Sequence, residues 1–116
     1  IKLKQRLIIG RQIRKYLIKK GHEISQIFFF QDGVSNGNAL VYPANDEVNL
    51  QKHWQVFSIT HNVPLHLCVA ASQRRGVVDN LTTPTTAHYN LAEGFIIAGL
   101  GEFIAASLNA DRVITL

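Results

Sequence analysis

Pro64-Leu65-His66-Leu67-Cys68-Val69-Ala70-Ala71-Ser72-Gln73-Arg74-Arg75-Gly76, written PLHLCVAASQRRG, contains the one cysteine of a 116-residue chain. Its first half alternates. Leu65–Ala70 predicts a buried strand that starts at Pro64, with Leu65, Leu67 and Val69 on one face and His66, Cys68 and Ala70 on the other. Ala71–Arg75 then reads as a short helical turn closed by Gly76. A strand running straight into a helix is the repeating unit of an α/β layer, and ligands in open sheets of that kind bind at the carboxyl ends of the strands. Cys68 stands near such an end.

The segments to either side keep the same rhythm. Upstream, Ile9, Ile13, Tyr16 and Leu17 recur with helical spacing, and basic residues fall mainly between them, so a helix with one buried stripe is expected to end at Gly21. Glu23–Phe30 (EISQIFFF) is β-branched and aromatic and runs into the turn-prone Gln31-Asp32-Gly33, which predicts a buried strand. The polar stretch Val34–Ala44 lies where that strand delivers the chain. A helix should follow from about Glu47 to His61, capped by Asn45 or Asp46, with Val48, Leu50, Trp54, Phe57 and Ile59 as its apolar side. Downstream of Gly76, Val77–Tyr89 reads as a polar loop. Leu91–Leu108 reads as one helix capped by Asn90, whose several glycines imply close packing or a break near Gly99. Asp111–Leu116 (DRVITL) reads as a last strand.

This order predicts an α/β fold: a single domain over residues 1–116 with an open, mostly parallel sheet and helices on both faces. Apolar residues make up 47% of the chain, enough for one core. No apolar run approaches the roughly 20 residues of a membrane span. The basic start has neither the apolar core nor the cleavage site of a secretory leader, and a single unpaired cysteine fits a reducing compartment, so a cytoplasmic protein is expected. Charge is unevenly spread. Eight of the twelve Lys and Arg lie in the first 20 residues and no Asp or Glu precedes Glu23. That basic element is a solvated helix face or a surface for RNA or an acidic partner.

Cys68 admits two readings from spacing alone: a small apolar residue in a buried strand, or a nucleophile. For the second, the helix start after it favours an anion, and Arg74 and Arg75 follow within two turns. His66, on the same strand face, can tune the thiol or simply pack. Asp32 and Asp79 either flank a site at the sheet edge or serve their turns. The histidines and the lone cysteine make no metal pattern, and no phosphate-binding glycine motif is present, so neither a structural metal nor a nucleotide cofactor is expected.

Three stretches carry a family resemblance: GHEISQIFFFQDGVSNGN (Gly21–Asn38), LHLCVAASQRRGVV (Leu65–Val78) and NLAEGFIIAGLGEFIAASLNADRVITL (Asn90–Leu116). Together they resemble the DsrE/DsrF-like family, whose fold is flavodoxin-like. The resemblance implies a sulfurtransferase subunit in which Cys68 carries sulfane sulfur as a persulfide. Arg74, Arg75, His66, Asp32, Gly33 and Asn36 are then candidates for the site wall or for stabilising the thiolate. It further implies a heterohexamer with TusB- and TusC-like sister subunits, a TusA-like sulfur donor and a TusE-like acceptor. The sulfur would serve 2-thiolation of the tRNA wobble uridine, with tRNA met only indirectly and no membrane involved. The alternatives within the family are sulfur-oxidation trafficking and a non-catalytic assembly subunit. Members of the family open with a hydrophobic strand, whereas Ile1–Gly10 reads IKLKQRLIIG, so the first strand is expected to be missing or divergent.

Overall fold

The computed structural model describes residues 2–3, 19, 21, 23–41, 43–79, 89–110 and 113–114. Among the described residues four strands, β1 (Lys2–Leu3), β2 (Ile27–Phe29), β3 (Leu65–Cys68) and β4 (Phe95–Ala98), form one sheet in the order β1-β2-β3-β4. Every pairing is parallel, with Lys2 opposite Phe28, Phe28 opposite His66 and Cys68 opposite Ala98. A first strand is therefore present in the sheet, described at Lys2–Leu3. The helix expected over Ile9–Ile18 lies outside the described residues, although Lys19 is helical and Gly21 has a φ of 82°.

Side chains alternate across the sheet and create two different faces. Ile27, Phe29, Leu65, Leu67 and Phe95 point to one side, where α1 (Leu50–His61) supplies Trp54 and Phe57. Phe29 meets Trp54 edge to face with ring centroids 5.1 Å apart. Phe28 points to the other side and stacks on Phe103 of α3 (Leu100–Asn109) at 4.6 Å. Helices thus cover both faces of an open parallel sheet, as expected. The outer side of α3 stays bare: Leu100, Ile104 and Leu108 repeat every four residues and, like Ile96 of β4, are exposed. No helix among the described residues is long and apolar enough to cross a membrane.

Five boundaries differ from the sequence reading. Strand β2 takes only Ile27–Phe29 of the predicted Glu23–Phe30. The helix α1 begins at Leu50, because Asn49 rather than Asn45 or Asp46 caps it, accepting from the Lys52 N–H at 3.1 Å. The third strand stops at Cys68, and α2 (Val69–Arg74) starts two residues earlier than predicted. The span Leu91–Leu108 is not one helix. Phe95–Ala98 is strand β4 and α3 follows from Leu100, with Gly99 as the joint. A four-residue apolar run fits a buried strand or a helix turn equally by period, and the vacant sheet edge beside β3 selects the strand. Lastly, Val113 and Ile114 of the predicted final strand are not in a sheet, and the rest of that segment lies outside the described residues.

Candidate functional site

Cys68 is the last residue of β3 and the N-cap of α2. Cys68 is still extended, with φ −59° and ψ 125°, and the helical turn starts at the next residue, Val69. Its side chain is half-buried against the margin of the core cluster, and the cysteine is free. The residue makes no side-chain cap hydrogen bond, so the first amides of α2 are not closed off by it. Its register partner Ala98 lies one residue before Gly99, the N-cap of α3, which is likewise without a side-chain cap. Two helix starts therefore open side by side at the carboxyl edge of the sheet, and both favour negative charge there.

A wall beside Cys68 is built from the 3-10 segment Gln31–Gly37, which follows β2. Its first residue, Gln31, has a left-handed φ of 50°, so the chain turns sharply off the strand. Gly33 and Asn36 are buried within it, and Asn36 Nδ2 donates to the Gly33 carbonyl at 2.7 Å. Gln51 of α1 ties the segment from the other side, donating to the carbonyls of Asn36 and Asn38, both at 2.9 Å. Gly37 lies so close to Leu67 that a Cβ there would overlap the leucine side chain. The wall is thus fixed to β3, one residue before Cys68.

The arginines stand at the far end of α2. Arg75 donates from Nε to Asp32 Oδ1 at 2.9 Å and from Nη1 to the Ala71 carbonyl at 3.4 Å. That pair joins α2 to the 3-10 segment and brings two of the predicted residues together. Arg74 is exposed in the last turn. From Cys68 to Arg75 the helix rises about 10 Å, and the Arg75 guanidinium folds back along it as far as the Ala71 carbonyl. Asp79, also considered for the sheet edge, is buried.

His66 occupies the α3 face of β3, opposite Phe28 on one side and Ile96 on the other. Its Nδ1 is buried with no hydrogen-bond partner. Burial pushes its pKa below the ordinary 6.5, and the Glu102 carboxylate in the first turn of α3 pulls partly back. Neutral imidazole is the favoured form. Asn90 is a residue that the sequence reading used only as a helix cap. Its Oδ1 accepts from the Val78 N–H at 2.7 Å, and its Nδ2 donates to Asn38 Oδ1 at 3.2 Å and to the Gly76 carbonyl at 2.9 Å. It ties the chain leaving α2 to the wall. The signal for it was weak, a lone Asn before an apolar run.

An open parallel α/β protein with a free cysteine where a central strand meets a helix, walled by a pinned loop, is the class that this geometry defines. The DsrE/DsrF-like family model matches residues 3–116, and the chain belongs to that family. Over 113 residues it is 88% identical to the "Sulfurtransferase TusD homolog" of Haemophilus influenzae, covering 97% of this chain and 90% of the relative. A protein of the same description from Pasteurella multocida is 58% identical over the same coverage. The crystal structure of the ychN protein from E. coli superposes with a TM-score of 0.74 at 23% identity, over 99% of this chain and 96% of that one, and supports the fold.

Proposed function

We propose that the protein is a sulfurtransferase subunit that carries sulfane sulfur on Cys68. The observation that carries this reading is the placement of a free, half-buried cysteine at the carboxyl edge of the sheet, where two uncapped helix starts open. The chemistry conserves electrons. The Cys68 thiolate attacks the outer sulfur of a donor persulfide; a new S–S bond forms, the donor's S–S bond breaks, and the electron pair leaves on the donor's inner sulfur. In the second step an acceptor thiolate attacks the outer sulfur of the Cys68 persulfide, and Cys68 departs as thiolate. Neither step needs an oxidant or a metal. Half-burial fits these demands, since the carried sulfur is shielded while an incoming thiol can still reach it.

The names of the relatives favour the tRNA branch of the family. In this reading the donor is a TusA-like carrier, the acceptor is TusE-like, and the sulfur ends at C2 of the wobble uridine in the cytoplasm. Assembly with TusB- and TusC-like sister subunits is supported by the bare stripe of Ile96, Leu100, Ile104 and Leu108, an apolar surface of the kind that marks protein contacts. Arg75 and Asp32 hold the wall in place and Arg74 faces incoming carriers.

Incubation with a small-molecule persulfide followed by intact-mass measurement tests the central claim. The native chain should gain one sulfur atom and Cys68→Ser none. A native chain that gains no labile sulfur, alone or with its sister subunits, overturns the reading.

A further inference from the structure

Ser72 follows Cys68 by four residues and is fully buried, at 0% exposure. Its backbone carbonyl is used twice, accepting from the Arg75 N–H at 3.2 Å and the Val77 N–H at 2.9 Å. Its hydroxyl has no hydrogen-bond partner. A serine inside a helix ordinarily returns its hydroxyl to the carbonyl four residues back, which here is that of Cys68, and Ser72 makes no such bond. Buried hydroxyls without partners are disfavoured, and each one in a folded protein calls for a physical reason. Helix geometry indicates where this one is directed. Residues four apart lie on one face, and helical side chains tilt toward the N-terminus, so Ser72 leans over the turn that Cys68 opens.

We propose that the Ser72 hydroxyl is the donor for the carried sulfur: once Cys68 is extended by one sulfur atom, Ser72 O–H donates to the outer sulfur and holds it as the anion. The proposal rests on the persulfide reading above. The unextended thiol does not satisfy the hydroxyl, whereas an added sulfur projects about 2 Å further. The site is therefore complementary to the loaded state and incomplete in the empty one. Ser72 keeps its proton throughout. The S–S bonds made and broken are those of the transfer itself, with the electron pair leaving on the donor's sulfur.

The experiment equilibrates the full chain with a fixed ratio of glutathione persulfide to glutathione and reads the loaded fraction by intact mass. Native and Ser72→Ala chains should both gain a sulfur that Cys68→Ser lacks. The loading equilibrium of Ser72→Ala should be weaker by about tenfold, the effect of one hydrogen bond to an anion. Alkylation of unloaded Cys68 should change less than about twofold, because the thiol form does not use the hydroxyl. Loading should also raise the melting temperature of the native chain and leave that of Ser72→Ala unmoved, a readout that a packing role for Ser72 would not produce. Equal loading of the two chains, or a native melting temperature indifferent to loading, overturns the proposal. A native chain that never loads is a different failure, visible without the variant, and it overturns the persulfide reading and this proposal together.

Discussion

His66 sits two residues before Cys68 with Nδ1 buried and unpaired, so a proton added there would create an unsolvated charge. Burial lowers its pKa from the ordinary 6.5, against a smaller upward pull from Glu102. Between the folded and unfolded values the unfolded chain binds a proton that the folded chain refuses. The contribution to stability is then full above about pH 6.5 and is lost as pH falls through the folded value. The urea midpoint of the native chain should fall from about pH 7 to about pH 5, and His66→Asn should flatten that fall. An unchanged slope in the variant would assign the effect to other groups. The Asp32–Arg75 pair is a different case, with side chains 60% and 35% exposed. Its coupling in a double-mutant cycle should be below about 1 kcal/mol. Cys68 itself was legible as a residue near the end of a strand from the alternation of Leu65, Leu67 and their neighbours, although the strand stops at it rather than at Ala70. The unsatisfied hydroxyl of Ser72 was not, because satisfaction of a polar atom depends on groups distant in sequence.

At the scale of elements, the 3-10 segment is the part whose position decides the site. Gly37 has no room for a side chain beside Leu67. Gly37→Ala should destabilise the fold by about 1–3 kcal/mol, and Leu67→Ala in the same chain should relieve part of that cost, as denaturation midpoints of the single and double variants would show. Asn90→Ala removes the acceptor of the Val78 N–H and the donor to Asn38 and Gly76. Its expected cost is about 1–3 kcal/mol, and amide exchange at Val78 should quicken. Turn chemistry announced a loop after Phe30, but its fastening came from Gln51, Leu67 and Asn90, whose proximity no local pattern encodes. The fourth strand shows the same limit. Phe95–Ala98 has no period that separates strand from helix, and only the pairing of Cys68 with Ala98 and of Leu65 with Phe95 resolves it.

For the whole molecule, the question is what covers the outer face of α3. Ile104 is 50% exposed and Leu108 81%, so charge on this face costs the isolated fold little while disrupting any apolar contact made there. Ile104→Asp should leave the melting temperature within a few degrees of native, yet weaken co-purification with the sister subunits in size exclusion. Undiminished assembly would move the interface elsewhere.

The sequence by itself determined the class of fold, the buried strand that begins at Leu65 and the turn at Gly76, whose φ of 68° suits a residue without a side chain. These features depend on alternation, local sterics and the neighbours of a few residues. Tertiary structure alone decided that Lys2–Leu3 pairs with β2, that Leu91–Leu108 divides into β4 and α3, and that Arg75 serves Asp32. It also decided that the Ser72 hydroxyl lies unpaired one turn beyond the cysteine. Each of these depends on which distant groups fill or vacate a place in the packed interior, a competition settled only when the sheet assembles.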